Sequence, residues 1–358
     1  MSARGADSSR AIAGSADVER GAPMGTELER PAEASRGGPL LAVEGLRVSV
    51  ATRARRATVL HGVSFELDVG GSLAIVGASG AGKSTLLAAL VGLLPRGARV
   101  DAGSVRFRGE ELVGARPETL RRVRGRDVGV VFQDALAAFD PVVPIGAQVA
   151  EALVAHGVAS RTEARERALE LLARCRLPDP AAAARAAPHE LSGGMRQRAL
   201  VAAAIACGPA LLLADEPTSA LDPTLALQVL DLFDAERARG AAFLVVTHDL
   251  VLARERCERV VVLHAGRVVE TGPTRAVLER PAHPCTLELV RARAALESRA
   301  AEPPPPPAEP RAAATGCAFA ARCPFARARC AEAVPPLVAH GAGAARSSAC
   351  FFADEVSP

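Results

Sequence analysis

The sequence predicts an α/β domain in which the strands of a largely parallel sheet alternate with helices. Three short apolar runs are typical of strands buried on both faces, and they lie at Gly129–Phe132, Leu211–Ala214 and Phe243–Val246. Two segments between the first and second runs, Ile145–Val158 and Arg161–Arg176, have the apolar periodicity of helices. Strands that alternate with helices along a chain favour a parallel sheet covered by helices.

The elements nearer the N-terminus of this domain follow in order. Val43–Val50 and Val63–Leu67 alternate apolar and polar side chains, which predicts strands of a half-exposed sheet. Ser72–Val76 is a short apolar run that leads into a glycine-rich turn, and Thr85–Leu94 has the composition of a helix. We therefore expect a strand, a tight turn and a helix in succession.

Composition divides the chain into four parts. The N-terminal residues are polar and lack an apolar core, and a run of five prolines, Pro303–Pro307, predicts a stiff spacer near the other end. The predicted parts are a disordered tail (1–38), a folded domain (39–290, helical at about 134–200), a proline-rich linker (291–312) and a cysteine-rich region (313–358).

The composition also excludes several classes of protein. The chain has 358 residues with 43 basic and 40 acidic side chains, a net charge of +3, which gives no reason to expect nucleic acid as a partner. The tail does not resemble a secretory signal, and the longest apolar stretch, Leu200–Ala214, is too short to span a bilayer. We expect a soluble or membrane-peripheral protein, and the sparse cysteines favour a reducing cytoplasm.

Lys83 is the only lysine of the chain, and it lies in a phosphate-binding motif. The segment Gly77–Ser84 fits the pattern G-x-x-x-x-G-K-S/T between an apolar strand and a helix. Glycines allow successive N–H groups to point at phosphate oxygens, and the helix adds the positive end of its dipole. The lysine contributes a mobile ammonium group, and the serine hydroxyl can ligate Mg²⁺. The residues predicted to bind the nucleotide are Gly77, Ala78, Ser79, Gly80, Ala81, Gly82, Lys83, Ser84 and Thr85.

Polar side chains follow three of the predicted buried strands. Asp215 and Glu216 end one apolar run, while Gln133 and His248 follow two others. Because the carboxyl ends of parallel strands face the ligand crevice, we expect all four beside the phosphates. Asp215 is predicted to hold Mg²⁺ with Ser84 and Gln133, and Glu216 to act as general base towards the attacking water. Gln133 and His248 are expected to contact that water or the γ-phosphate.

A second glycine-rich helix start lies at Leu191–Arg198. Ser192, Gly193 and Gly194 offer a hydroxyl and exposed N–H groups, which suit an anion. This segment resembles the signature of ATP-binding-cassette (ABC) ATPases. The resemblance also rests on the other motifs and their order along the chain, which are the phosphate loop, Gln133, the two carboxylates, Ser219–Asp222 and His248. The resemblance runs from about residue 41 to the C-terminus.

The resemblance implies a fold and an assembly. The fold is the P-loop NTPase fold of an ABC ATPase domain, with a mixed sheet, a helical signature subdomain and a small cysteine-rich C-terminal extension. The assembly is a head-to-tail dimer, in which Ser192, Gly193 and Gly194 of one subunit complete the ATP site of the other. The second subunit is identical or a paralogue.

Further segments narrow the resemblance to the oligopeptide/dipeptide importer branch. This branch implies an ATP- and Mg²⁺-dependent ATPase at the cytoplasmic face of the membrane, with two permease subunits, an extracytoplasmic solute-binding protein and no nucleic acid. Nickel and other small-solute importers share these motifs, and a non-transport ABC ATPase is a further alternative. An inactive interaction subunit is disfavoured because the catalytic side chains are intact. The segments are Phe132–Asp134, Ile145–Gln148, Ala265–Glu270, His283–Thr286 and Gly316–Pro324.

One stretch departs from the family pattern. Most members stack the adenine on an aromatic side chain upstream of the phosphate loop, whereas Val48–Ala51 is aliphatic apart from Ser49, and the chain contains no Tyr or Trp. Stacking contributes on the order of 1 kcal/mol. We therefore predict weaker or less base-selective nucleotide binding.

Four cysteines crowd into the tail, at Cys317, Cys323, Cys330 and Cys350. Four thiolates are the number needed by a tetrahedral zinc or by an iron–sulfur cluster, but the spacing matches no common zinc finger. The family resemblance implies a 4Fe–4S cluster at these positions. Zinc and incidental thiols stay open as alternatives.

Overall fold

Two β-sheets and the helices between them make up the described part of the chain. The computed structural model describes residues 38–52, 55–219, 221–298, 315–341 and 345–356. The predicted disordered tail (1–38) therefore lies outside the described residues, except for Gly38.

The strands begin with long antiparallel elements and continue with short buried ones. They are β1 (Leu41–Ala51), β2 (Arg56–Leu67), β3 (Ser72–Val76), β4 (Ala98–Phe107), β5 (Glu110–Glu111), β6 (Val128–Val131), β7 (Leu211–Asp215), β8 (Ala242–Thr247), β9 (Arg259–His264), β10 (Arg267–Pro273), β11 (Val338–Ala339) and β12 (Ser347–Ser348).

The helices fall between these strands and after them. They are α1 (Lys83–Leu90), α2 (Pro117–Arg122), α3 (Ala135–Ala138), α4 (Ile145–Ala155), α5 (Arg161–Arg174), α6 (Pro180–Arg185), α7 (Gly193–Ile205), α8 (Pro223–Ala238), α9 (Leu250–Arg256), α10 (Thr274–Glu279), α11 (Pro284–Ser298) and α12 (Ala328–Glu332). None of the described helices is long and apolar enough to cross a membrane.

The strands form one antiparallel and one mixed sheet. The antiparallel sheet has the order β2-β1-β4-β5, and the mixed sheet has the order β11-β12-β10-β9-β3-β8-β7-β6. In the mixed sheet β9, β3, β8, β7 and β6 run parallel to one another, while β10, β12 and β11 are antiparallel additions at one side. The predicted α/β fold with a largely parallel core is confirmed.

The short apolar runs form the centre of the mixed sheet. Every residue of β3, β7 and β8 is buried, which explains why these strands are apolar throughout instead of alternating. The edge strand β6 ends one residue earlier than predicted, because Phe132 turns outward and is 39% exposed. Helix α1 also ends earlier than predicted, since Gly92 adopts a left-handed φ of 65°.

The predicted helical part corresponds to α3–α7. Helix α5 begins with a capping box, in which the Ser160 side chain accepts from Glu163 N and the Glu163 carboxylate accepts from Ser160 N. Gly146 in α4 permits close packing against α6, because a Cβ at this position would lie 2.7 Å from the Ala184 Cβ. In the structure the helical part extends to Ile205, slightly beyond the predicted limit of about residue 200.

The cysteine-rich region joins the mixed sheet. Strand β12 pairs with β10, so that Glu270 lies opposite Ser348. The predicted linker begins too early at residue 291, because α11 continues to Ser298. The five prolines and the rest of that linker up to residue 312 lie outside the described residues.

Candidate active site

The order of the parallel strands places the predicted site residues along one edge of the mixed sheet. The phosphate loop follows β3, His248 follows β8, Asp215 and Glu216 lie at the end of β7, and Gln133 follows β6. These four strands are adjacent, in the order β3-β8-β7-β6. The carboxyl ends of parallel strands meet at one edge, which is where α/β proteins bind their ligands.

Backbone conformation explains the glycines of the phosphate loop. Gly80 and Gly82 adopt left-handed φ angles of 76° and 100°, which other residues rarely adopt, and Gly82 caps the N-terminus of α1. Gly77 is required by close packing, because a Cβ there would lie 2.2 Å from the carbonyl oxygen of Leu263. The loop therefore turns tightly enough to present N–H groups at the start of a helix, an arrangement that binds phosphate.

Lys83 lies inside this loop, with only 8% of its surface exposed. Its Nζ donates hydrogen bonds to the carbonyl oxygens of Gly77 at 2.8 Å and Ala78 at 3.1 Å. Burial lowers the pKa of Lys83, while Glu216 and Asp215 oppose that shift. The ammonium group is thus held beside the loop by weak neutral acceptors, which the oxygens of a phosphate can replace.

Asp215 and Ser84 have the chemistry of a magnesium site. Asp215 is 8% exposed, and its Oδ1 is buried without a hydrogen-bond partner among the described residues. Burial raises the pKa of Asp215 and nearby Glu216 adds to the rise, whereas a hydrogen bond from Ser84 and the charge of Lys83 lower it. A buried carboxylate oxygen that lacks a partner, beside a hydroxyl, fits the oxygen donors that Mg²⁺ prefers.

Glu216 and His248 contact each other directly. The Nδ1 atom of His248 lies 2.9 Å from Oε1 and 2.7 Å from Oε2 of Glu216. The Glu216 side chain is 11% exposed and that of His248 is 68% exposed, so the histidine covers the carboxylate from the solvent side. Glu216 also adopts a left-handed φ of 48°, an unusual conformation for a residue with a side chain. This strain at a strand end is typical of functional positions.

Gln133 is placed near the other residues but makes no recorded contact with them. It lies two residues after β6, which pairs with β7 so that Val131 faces Ala214. Its side chain is exposed, and among the described residues it has no hydrogen bond. The predicted roles of Gln133 at magnesium and at the attacking water stay predictions.

The signature segment lies elsewhere, at the start of α7. Ser192 caps this helix, and its hydroxyl accepts a hydrogen bond from Met195 N at 3.3 Å. Ser192 and Gly193 are exposed, and no described hydrogen bond or ion pair joins them to the phosphate loop of the same chain. The structure therefore brings the phosphate loop, Asp215, Glu216 and His248 together. The signature segment of the same chain does not join them.

Arg198 supports the signature helix and was missed by the sequence reasoning. Its side chain is 7% exposed and donates to the carbonyl oxygens of Gly194 at 3.2 Å and Arg176 at 2.6 Å. The only signal in the sequence was its position within the first turns of the signature helix. In a chain so rich in arginine, that signal did not distinguish a buried arginine from an exposed one.

Comparison with known proteins identifies the family. Residues 60–219 match the ABC transporter family, and residues 269–330 match the family described as the oligopeptide/dipeptide transporter C-terminal region. The chain is 38% identical over 294 residues to the dipeptide transport ATP-binding protein DppD of Bacillus subtilis, covering 80% of this chain and 87% of that protein. It is 42% identical over 306 residues to the oligopeptide transport ATP-binding protein OppD of Mycobacterium tuberculosis, covering 84% of this chain and 50% of that protein.

Solved structures agree with this assignment. The fold is similar to that of the dimeric ATP-binding cassette MJ0796 in a post-hydrolysis state bound to ADP and Pi, with a TM-score of 0.60 and 29% identity. The match covers 66% of this chain and 99% of that one. The fold and the phosphate site define an ABC ATPase. The chain belongs to the ABC transporter ATP-binding family, in the branch that carries the oligopeptide/dipeptide transporter C-terminal region.

The four tail cysteines converge without forming a metal site. Cys317, Cys323, Cys330 and Cys350 all line one small cavity of about 10 Å³, together with His283 and Phe319. This space is at the lower limit of what can hold a single water molecule. Among the described residues, no three or more His, Cys, Asp or Glu side chains are arranged to hold a metal ion. The predicted 4Fe–4S or zinc ligand set is therefore not supported by the side chains as they stand.

The stretch that lacks an adenine-stacking aromatic lies close to the phosphate loop. Val50 of β1 pairs with Ala57 of β2, and the next residues of β2 approach the loop, since a Cβ on Gly82 would lie 2.9 Å from Leu60 Cδ2. Val48 is fully buried, whereas Val50 is partly exposed. Val50 is thus a position from which an aromatic ring could reach a bound base.

We expect Val50→Tyr to tighten ATP binding by about fivefold, because stacking on a base contributes about 1 kcal/mol. The preference for ATP over GTP is expected to rise as well. Equilibrium titration with fluorescent nucleotides measures both values. Val69→Tyr is the matched control, since Val69 is 65% exposed and follows the far end of β2. Equal ATP affinity for Val50→Tyr and the wild type would contradict the stacking explanation.

Proposed function

We propose that this chain is the ATP-hydrolysing subunit that powers the import of peptides through an ABC transporter. One combination of features carries the proposal. The phosphate site holds Lys83, Asp215, Glu216 and His248 in place, and the same chain carries the C-terminal region matched to oligopeptide/dipeptide transporters. The relatives named above are transport ATP-binding proteins for dipeptides and oligopeptides.

The proposed reaction assigns one task to each side chain. The loop N–H groups and Lys83 bind the β- and γ-phosphates, and Ser84, Gln133 and Asp215 hold Mg²⁺, which neutralises phosphate charge when it is bound. Glu216 accepts a proton from water as the water oxygen attacks the γ-phosphorus. The bond from that phosphorus to the bridging oxygen breaks, and ADP and inorganic phosphate leave.

His248 is proposed to orient Glu216 and then to contact the γ-phosphate. The direct contact between Nδ1 and both Glu216 oxygens supports the first task. The 68% exposure of the His248 side chain supports the second, because an exposed imidazole beside Glu216 is accessible to a bound nucleotide. A positioned histidine can therefore couple the carboxylate to the phosphate that is being transferred.

The signature supports a head-to-tail dimer. Ser192 and Gly193 are exposed at the N-terminus of a 13-residue helix, where unpaired N–H groups favour an anion. Because they have no described contact with their own phosphate loop, the anion they suit is the nucleotide of a second subunit. Two copies related in this way each lend a signature to the other, and the interface closes upon itself.

The two glycines of the signature provide a test of this dimer. A Cβ on Gly193 meets nothing within 4 Å in its own chain, whereas a Cβ on Gly194 would lie 2.6 Å from Leu225 Cδ1. We expect Gly193→Ala to lower ATP hydrolysis by about tenfold or more without changing the unfolding midpoint, because the added methyl meets only the partner's nucleotide. Gly194→Ala would push aside the partly exposed end of the Leu225 side chain, so its effect on the unfolding midpoint is expected to be small. Unchanged hydrolysis in Gly193→Ala, measured beside thermal unfolding, would refute the proposed role of the signature.

The proposed partners include two membrane permeases and an extracytoplasmic solute-binding protein, with the chain at the cytoplasmic face of the membrane. Three exposed apolar side chains support a protein contact at the entry to the helical part. Phe132 is 39% exposed, Leu136 45% and Val142 82%, within eleven residues of sequence. Clustered exposed apolar residues mark interaction surfaces.

Reconstitution tests the transport function. The chain would be placed in vesicles with candidate permeases and a solute-binding protein from the same genome, and ATP-dependent uptake of labelled di- and oligopeptides would be measured. Uptake of peptides that is lost with Glu216→Gln supports the proposal. Uptake of nickel but no peptide would assign the chain to the nickel alternative, and ATPase activity that no permease pair alters would favour a non-transport ABC ATPase.

A metal centre in the tail is a separate proposal. It is supported by the convergence of four thiols on one cavity. Burial raises the pKa of Cys317, Cys323 and Cys350, and the other tail thiols nearby add to each shift. Accommodation of a 4Fe–4S cluster requires the thiols to move apart. Four irons per chain with absorbance near 400 nm in anaerobically purified protein would support the cluster. Stoichiometric zinc would support the alternative, and a metal-free protein would refute both.

A further inference from the structure

A cavity distinct from the small one at the tail cysteines lies between the ATPase domain and the cysteine-rich region. None of the residues proposed to act in ATP hydrolysis lines it. Its volume is about 240 Å³. Residues of β2, β9 and β10 line one side with His283, which precedes α11. Residues 317–319, Val334, Pro335, Leu337 and Ala349 of the cysteine-rich region line the other. The turn between β9 and β10 is held against β2 by a hydrogen bond from His61 N to Gly266 O of 2.9 Å. Gly266 is required there, because a Cβ would lie 1.8 Å from the carbonyl oxygen of Val59.

The polar lining of this cavity is positively charged. Arg267 is half-buried, its Nε has no hydrogen-bond partner, and it forms no ion pair with any carboxylate in the described part of the chain. Burial lowers the pKa of Arg267, and nearby Arg47 lowers it further. Burial also lowers the pKa of His61, with Arg267 and Arg47 adding to the shift. None of the described lining residues is an aspartate or a glutamate. An unbalanced, partly desolvated cation of this kind favours an anionic ligand.

His264 lies in the wall of this cavity as a fully buried imidazole. It is 1% exposed, and both of its ring nitrogens are buried. Burial lowers its pKa to about 4 and the charge of Arg322 lowers it further, while a hydrogen bond with the Ala318 backbone opposes the shift. The ring is therefore neutral near pH 7 and adds no charge to the lining.

His283 offers a donor of known orientation at the same cavity. Its Nδ1 accepts a hydrogen bond from Cys285 N at 3.0 Å, which leaves the proton on Nε2. The ring packs edge-on against Phe319, at 5.9 Å between centroids, and His264 packs against the same phenyl ring at 5.4 Å. Both imidazoles are therefore held in place by packing, and of the two only His283 is left as a hydrogen-bond donor for a ligand.

The remaining wall is apolar. Val268, Val269, Val334 and Leu337 line the cavity together with Phe319. Leu337 borders the cavity and is 40% exposed, so its side chain is available for a bound ligand to pack against. A cationic end opposite an aliphatic wall suits a small molecule that carries one negative charge and one aliphatic group.

We propose that this cavity binds a small carboxylate that carries a branched aliphatic group. The carboxylate pairs with Arg267 and accepts a hydrogen bond from Nε2 of His283, and the aliphatic group packs on Val268, Val269 and Leu337. Because the cavity is bounded by the ATPase domain and by the cysteine-rich region, the ligand joins the two. The site is independent of ATP hydrolysis and of the transported solute.

Calorimetry on the full chain tests the proposal with 3-methylbutanoate as the probe. ADP is present throughout, so that the phosphate loop is filled and cannot bind the probe. We expect saturable binding of 3-methylbutanoate, with at least about tenfold weaker binding of the neutral isostere 3-methylbutanamide and of inorganic phosphate. No saturable binding, equal binding of the amide, or equal binding of phosphate would overturn the assignment.

Two variants locate the binding. Arg267→Gln is expected to weaken 3-methylbutanoate at least about tenfold, and Arg254→Gln, on an exposed helix away from the cavity, is expected to leave it unchanged. If Arg267→Gln fails to fold, judged by its unfolding midpoint, Leu337→Ala serves instead. It is expected to weaken 3-methylbutanoate but not acetate, which lacks the aliphatic group. Unaltered binding in a folded Arg267→Gln or Leu337→Ala protein would refute the site.

Discussion

Replacement of Glu216 by glutamine is expected to lower steady-state ATP hydrolysis by about 10²–10⁴-fold while leaving ATP affinity nearly unchanged. Glutamine keeps the size and the hydrogen-bonding oxygen of the side chain but cannot accept a proton from the attacking water. The contact with His248 can persist, since its Nδ1 lies within 2.9 Å of both carboxylate oxygens. The loss therefore falls on the chemical step and not on the geometry of the site.

The backbone at this position does not complicate the experiment. Glu216 has a left-handed φ of 48°, and glutamine bears the same conformational cost as glutamate. Its N–H donates to the carbonyl oxygen of Val246 at 2.8 Å, a bond that does not depend on the side chain. Equal unfolding midpoints for Glu216→Gln and the wild type are expected, so that a loss of turnover reports on catalysis alone.

Single-turnover hydrolysis and nucleotide titration measure the two halves of this prediction. Glu44→Gln is the matched control, because Glu44 is an exposed residue of β1 that pairs with Arg106 at 3.2 Å. It is expected to leave turnover unchanged. Turnover in Glu216→Gln within a factor of about two of the wild type would show that another group accepts the proton.

The positions of the proposed catalytic groups were predictable because each follows a buried strand. The apolar composition of β3, β7 and β8 indicates that these strands are buried on both faces. Because the strands are parallel, the residues that follow them lie at the same edge of the sheet. Lys83 was predictable because the loop pattern demands that residue type. The direct Glu216–His248 contact was not, since it depends on the neighbouring position of β7 and β8, which lie more than twenty residues apart in sequence.

The attachment of the cysteine-rich region could not be predicted. Strand β12 contains only Ser347 and Ser348, too few residues to show any periodicity. Its pairing with β10 is non-local, and the side chain that secures it, Arg346, is one arginine among many. The spacing of the four cysteines indicated a shared location, which the structure bears out, but not whether their thiols would hold a metal. Spacing along a chain does not determine the distances between side chains.

The second large effect is expected at Glu270, which we predict to be essential for that attachment. Glu270 is fully buried, and its carboxylate accepts hydrogen bonds from Ala282 N and His283 N, each at 3.0 Å. It also accepts from Nε of Arg346 at 3.0 Å and from Nη2 at 2.6 Å. The two residues are 76 positions apart, so this ion pair connects β10 with the cysteine-rich region.

Glu270→Gln is expected to destabilise the protein by about 3–5 kcal/mol, because it leaves the Arg346 guanidinium buried without a counter-charge. Ala282 N and His283 N donate to different oxygens of the Glu270 carboxylate, and the glutamine amide keeps only one acceptor oxygen, so its NH2 group faces one of these two backbone N–H groups. Urea unfolding measures the free energy, and hydrogen exchange at Ser347 and Ser348 measures whether β12 separates first. Arg346→Met is expected to destabilise by a similar amount, since it leaves the fully buried Glu270 carboxylate without a counter-charge although both backbone donors remain.

The matched control is the exposed pair between Arg106 and Glu44. Their side chains are 46% and 59% exposed, so Arg106→Met is expected to change the free energy of unfolding by less than about 1 kcal/mol. Both pairs join an arginine to a glutamate, and they differ in burial. The difference in unfolding free energy between their variants therefore measures the cost of leaving a buried ion without its partner.

In a double-mutant cycle, Glu270→Gln and Arg346→Met should couple by more than about 1 kcal/mol. Additive effects, or a Glu270→Gln protein as stable as Arg106→Met, would mean that the strand pairing of β12 with β10 holds the cysteine-rich region without help from the ion pair.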